Sequence, residues 1–175
     1  MKSHQNKHIT KIKMKIDNEY YTPESIWKRI DFVFDKCKDK IIFEPFYGKG
    51  HSFETFVKMG FSVLGEKDLD FFSDKSLENI RKCDIIITNP PFSIKYKIMK
   101  LLVDENKSFC MILPLSCINT HSFRKCFENK LNEVCILMPK GRLSFIKNNK
   151  IQSSPSFESM FLTFKLFKEN IIYID

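Results

Sequence analysis

At 175 residues, 43% of them hydrophobic and 29% charged, the chain has room for one domain with a real core and not for two comfortable ones. No apolar run approaches the roughly 20 residues of a membrane span, and the lysine-rich start lacks the apolar stretch of a secretory leader, so an intracellular, reducing compartment is expected. A formal net charge of +8 favours an anionic partner, nucleic acid above all, although the abundance of Lys, Ile, Asn and Phe also fits an AT-rich genome. The expected organisation is a basic arm over residues 1–18 and one domain over 19–175. The arm carries Lys2, Lys7, Lys11, Lys13 and Lys15 with His4 and His8, and reads equally as a segment that touches phosphates or as a solvated tail.

After Tyr20 and Tyr21, Thr22-Pro23-Glu24 reads as a helix start: Thr22 as N-cap, Pro23 in the first turn, Glu24 at the positive helix end. Ile26, Trp27, Ile30, Val33 and Phe34 recur at helical spacing and predict a buried face. Asp39 to Glu44 predicts the first strand. It runs into Glu44-Pro45-Phe46-Tyr47-Gly48-Lys49-Gly50, and Ser52 to Met59 predicts a helix. Strand, glycine-rich turn and helix form a nucleotide-binding unit, in which small residues let the backbone approach a ligand. Phe53 occupies the place of the third glycine of the dinucleotide fingerprint, which counts against a nicotinamide cofactor.

Phe61 to Glu66 predicts the second strand, followed by Asp68 and Asp70-Phe71-Phe72, and residues 73–82 read as short and weakly helical. Asp84 to Thr88 is apolar and β-branched enough for a strand buried on both faces. It must stop at Asn89-Pro90-Pro91-Phe92, because two prolines fix φ and donate no N–H. That step turns Asn89 towards the space beyond the strand's carboxyl end, where open α/β sheets bind ligands, and presents Phe92 on a loop. A helix over Ile94 to Val103, a strand over Phe109 to Leu113, a helix over Ser122 to Leu131 and a strand over Val134 to Met138 follow. Gly141 to Ile146, a polar loop from Lys147 to Ser154 and the last strands within Ser156 to Phe167 complete the pattern. The six cysteines contain no Cys-x-x-Cys pair and read as buried free thiols, with no metal site.

Asn89-Pro90-Pro91-Phe92 resembles the catalytic tetrad of S-adenosylmethionine-dependent amino-methyltransferases: adenine-N6 nucleic-acid enzymes, and the glutamine-N5 protein enzymes that share Asn-Pro-Pro-Tyr. Glu44-Pro45-x-x-Gly48-x-Gly50 is similar to their glycine loop. The aromatic-Thr-Pro of Tyr21, Thr22 and Pro23 is similar to the segment that meets the methionine end of the cofactor. Gly141-Arg142-x-x-Phe145, then Ser154-Pro155-x-Phe157-x-Ser159, resembles the carboxyl end of small phage-type adenine methyltransferases. The resemblance implies an α/β, Rossmann-like class I methyltransferase, mostly parallel with an antiparallel last strand and helices on both faces.

By the same resemblance, S-adenosylmethionine would meet Tyr21, Thr22, Pro23, Glu44, Pro45, Phe46, Gly48, Gly50 and Asn89. Glu66, with Asp68 as its rival, would take the ribose hydroxyls, Asp70 the adenine amine, and Phe71 would cover the ring. Asn89 and Pro90 would accept hydrogen bonds from the target amine, with Pro91 and Phe92 completing the catalytic set and Phe92 stacking on the target base. Lys140, Arg142, Lys147 and Lys150 would grip the nucleic-acid backbone. The expected activity is adenine-N6 methylation, of DNA before RNA. Glutamine-N5 protein methylation and a non-catalytic nucleic-acid-binding subunit are the alternatives. With no room expected for a separate target-recognition domain, an oligomer or a partner subunit is also open.

Overall fold

The computed structural model describes residues 20–152 and 155–175, so the basic arm expected over 1–18 and two residues of the polar loop lie outside the described residues. The chain runs α1 (Glu24–Lys28), α2 (Asp31–Asp35), β1 (Ile41–Phe43), α3 (His51–Lys58), β2 (Ser62–Leu64), α4 (Asp74–Lys82), β3 (Ile85–Thr88), α5 (Lys95–Asp104), β4 (Ser108–Pro114), α6 (His121–Phe127) and β5 (Val134–Pro139). It ends with a hairpin of β6 (Phe145–Lys147) and β7 (Lys150–Gln152), then β8 (Ser159–Phe164) and β9 (Ile171–Ile174).

Seven strands form one sheet in the order β2-β1-β3-β4-β8-β5-β9. β1 to β4 are mutually parallel, and β8 lies antiparallel between β4 and β5. Because side chains alternate along a strand, the two faces hold two cores. Ile85 and Ile87 of β3 face Trp27, Phe34 and Phe56 of α1, α2 and α3. Ile86 faces the other way, with Ile80, Met99, Leu102 and Phe123 of α4, α5 and α6. Both faces are covered, so β3 is buried at all four positions and can be continuously apolar.

Four features depart from the sequence expectation. The first helix is broken into α1 and α2 at Ile30, whose φ of −120° and ψ of 33° are not helical, although all five expected apolar positions are buried. Its N-cap is Pro23, whose ring has no capping acceptor, and Thr22 lies one residue earlier with its hydroxyl bonded to Asn89. The segment over 73–82, read as short and weakly helical, forms a nine-residue helix, α4, capped by Ser73 accepting from the Ser76 N–H, while no strand pairs with the outer edge of β2 among the described residues. The antiparallel strand, β8, is not the last: β9 follows it and pairs parallel with β5. The six cysteines are buried free thiols, as expected. No helix among the described residues is long and apolar enough to cross a membrane.

Candidate active site

β1 and β3 are neighbours, so the residues that leave their carboxyl ends, Glu44 and Asn89, come together. Glu44 is 1% exposed, and its Oε1 accepts from the Thr88 hydroxyl at the end of β3 and from the Phe46 N–H at 3.0 Å. Burial pushes its carboxyl up to about 8 against the opposing pull of those two donors. The two strands are thus joined beneath the cleft by one buried polar contact.

Asn89 is held from the other side. Its Nδ2 donates to the Thr22 hydroxyl at 3.1 Å and, more weakly, to the Tyr20 carbonyl at 3.5 Å. Among the described residues no donor reaches its Oδ1. The Pro90 carbonyl is likewise bare, whereas that of Pro91 takes the Ile94 N–H at 3.2 Å. Asn89 Oδ1 and the Pro90 carbonyl are therefore acceptors without a donor among the described residues, on successive residues past β3, where the prolines end the backbone ladder.

A small cleft opens here, lined by Tyr21, Thr22, Glu44, Gly48, His51 and Asn89 among others. Gly48 and Gly50 have φ of 54° and 86°, and Gly50 caps α3, so the turn brings backbone N–H groups to the cleft at a helix start. A Cβ at Gly48 would meet the Tyr21 ring at 3.2 Å. Pro45 is buried and Pro23 half-buried at the margins of this wall. A larger groove along β9, between Phe32, Lys36, Phe167 and Tyr173, touches none of these residues.

Phe92 lies on a short 3-10 turn over Phe92–Ile94. Its half-buried ring meets Phe157 edge-on at 5.3 Å, and Phe157 packs against Tyr20 at 5.4 Å and Phe145 at 5.8 Å. Lys95 donates to the Phe92 carbonyl at 3.0 Å. The β6–β7 hairpin is tied to the same place, because Tyr21 and Ile146 exchange both backbone hydrogen bonds at 2.8 Å.

Residues 56–153 match the family described as adenine-specific methyltransferase EcoRI, more than half of the chain and including the tetrad. The chain belongs to this family. It is 40% identical over 63 residues to the type II methyltransferase M.MgeORF184P of Mycoplasma genitalium, and 34% identical over 68 residues to the type II methyltransferase M.EcoRI of Escherichia coli. These matches take in 35% and 37% of this chain and 20% of each relative. A Listeria monocytogenes protein described as a class I S-adenosylmethionine-dependent methyltransferase superposes with a TM-score of 0.50 at 15% identity, over 87% of this chain and 65% of its own. The fold is that of class I methyltransferases.

In this member of the EcoRI family, the remaining predicted residues divide. Glu66, Asp68 and Asp70 are exposed on the turn between β2 and α4. Glu66 pairs with Lys75, Asp68 sits at a φ of 59°, and Asp70 accepts from the Phe72 N–H at 3.0 Å. Phe71 is 3% exposed and stacked on Phe46, so it lacks the open face expected of it, and the neighbouring Phe72, 44% exposed, carries one. Lys147 lies over the Tyr20 ring at 4.8 Å and Lys150 is exposed on β7. Arg142 is already engaged by the Pro155 carbonyl at 3.1 Å, and Lys140 sits beside Arg29 at the end of β5. Sequence reasoning missed Thr88, whose only signal was a hydroxyl closing an apolar strand. It missed Lys95, for which no local signal exists, and it named Phe157 in the carboxyl-terminal motif without giving it a place at the site.

Proposed function

We propose that this chain transfers a methyl group from S-adenosylmethionine to the N6 amine of adenine in DNA. The observation that carries the reading is Asn89 Oδ1, an acceptor that no donor among the described residues reaches, on a side chain held at the end of β3 in the lining of the cleft; the carbonyl of the next residue, Pro90, is the second acceptor that the reading needs. An adenine amine is a poor nucleophile, since its lone pair is delocalised into the ring. Two acceptors that take its two protons favour a tetrahedral nitrogen and free the lone pair. Because Asn89 is anchored before the substrate arrives, this polarisation costs little reorganisation at the moment of reaction.

The residues of the cleft fit the cofactor. Gly48 and Gly50 supply the positive-φ turn that leads into α3, and the start of α3 offers backbone N–H groups to a carboxylate. The Glu44 carboxyl, which burial keeps protonated up to about pH 8 in the free chain, would ionise beside the cofactor's ammonium group and accept from it. Asp70 and the open ring of Phe72 would hold the adenine end, with Glu66 or Asp68 on the ribose. When bound, S-adenosylmethionine supplies an electrophilic methyl group on a sulfonium. Phe92, backed by Phe157, would receive the unstacked target base, partly offsetting a few kcal/mol of unstacking. Lys147 and Lys150 on the hairpin, with a net charge of +8, suit a polyanion.

The test is incubation with isotope-labelled S-adenosylmethionine and DNA, RNA or protein, followed by digestion and mass spectrometry of the monomers. Label in N6-methyl-deoxyadenosine is the expected result. Label only in N6-methyladenosine or in glutamine, or no label at all, overturns the reading.

A further inference from the structure

Thr22 stands one residue before the N-cap of α1, within local reach of the first turn, and its hydroxyl is not used there. Pro23 is the N-cap of α1 and makes no side-chain capping bond, while Thr22 is 2% exposed and spends its hydroxyl on Asn89 Nδ2 at 3.1 Å. A buried hydroxyl that gives up a local partner for one 67 residues away is serving that partner. An asparagine amide has two ends of nearly equal shape and opposite hydrogen-bonding sense. If Asn89 turned over, its NH₂ would face the substrate amine, donor against donor, and the polarising contact would be lost. A hydroxyl can donate or accept, so Thr22 alone does not decide which end it meets. The Tyr20 carbonyl can only accept, and at 3.5 Å it favours Nδ2 on the same side. The exchanged backbone bonds between Tyr21 and Ile146 fix the segment between these two partners.

We infer that Thr22 is a positioning residue: with the Tyr20 carbonyl it holds the Asn89 side chain in the orientation that presents Oδ1 to the substrate amine. This rests on the methyl-transfer reading, yet it can be read without it. The Asn89 NH₂ pair is assigned in a spectrum of the ¹⁵N-labelled protein by its disappearance in Asn89→Asp. It is then followed in Thr22→Val, which keeps the shape and removes the acceptor, and in Thr22→Ser, which keeps the acceptor. The expected result is a shifted or broadened pair in the valine variant and a near-native one in the serine variant. Turnover at saturating cofactor and DNA is expected to fall about tenfold in Thr22→Val, the scale of one neutral hydrogen bond, and less than about threefold in Thr22→Ser. Thr22→Ala replaces the valine variant if that one does not fold.

An unmoved amide pair in Thr22→Val overturns the inference. So does a serine variant as impaired as the valine one, or a loss confined to cofactor affinity with native turnover. A native protein that methylates nothing, with the amide pair still moved by Thr22→Val, overturns the methyl-transfer reading and leaves the positioning role standing.

Discussion

The two walls of the cleft are built differently. On the side of β1 and β3, Glu44, Thr88, Asn89 and Thr22 are buried or half-buried and joined by hydrogen bonds that cross from strand to strand and back to the helix start. On the side of β2, Glu66, Asp68 and Asp70 are exposed and answer only to near neighbours, Lys75 and the Phe72 N–H. Exposed carboxylates in water contribute little until something covers them. On the methyl-transfer reading, the wall proposed to polarise an amine is therefore already hydrogen-bonded in the free chain, and the wall proposed for ribose and adenine would be finished by its ligand.

This contrast can be broken most directly at Asn89. Asn89→Ala is expected to lower turnover about 100- to 1,000-fold, as for loss of one preorganised polar contact, while titration calorimetry finds cofactor affinity near native. Native turnover in that variant would erase the distinction between the walls. Glu44 sharpens it through pH. Its carboxyl is near 4.5 when unfolded and about 8 when folded, so between those values the folded chain keeps a proton that the unfolded chain has released. Stability should then fall as pH rises through that window, by a few kcal/mol in all, and denaturant melts of Glu44→Gln at pH 5.5 and pH 8.5 should show the slope removed. Melts of the two proteins that run parallel would place the cost elsewhere.

Smaller effects belong to the exposed wall. Asp70→Ala is expected to weaken cofactor binding about tenfold, the scale of one hydrogen bond, with turnover at saturation nearly kept. Unchanged affinity would remove Asp70 from the site. The smallest change is expected on the hairpin, where Lys150→Ala should reduce the slope of log affinity for DNA against log salt by about 0.9, with no change in sequence preference.

What was legible in the sequence is what local chemistry dictates. Ile85–Thr88 could only be a central strand, and two prolines after Asn89 could only end it, so the end of β3 and the place of Asn89 just beyond it were readable to the residue. Thr22 was read by the capping rule, and a tertiary partner overrode that rule. The doublet Phe71-Phe72 follows a turn with no alternation to say which ring faces inward, and the core took the first. The turn of the β6–β7 hairpin rests on Asn148 and Asn149 at φ of 50° and 59°, a signal present in the sequence and read only as a polar loop. Lys95 reaches Phe92 from the first turn of α5, which no spacing argument foretells. β9 escaped because four apolar residues after a polar stretch do not announce a partner, and its partner, β5, lies more than thirty residues earlier.

β2 is three residues long, has no strand on its outer edge among the described residues and fully buries none of its side chains, whereas β8 is buried at all six positions. Its amide protons should therefore exchange with solvent through small local openings, and those of β8 only when the whole sheet comes apart. Glu66, Asp68 and Asp70 hang from that short strand. A molecule gripped by them works as a clasp on the part of the chain that loosens first, and its arrival should register as slowed exchange spreading across residues 62–70.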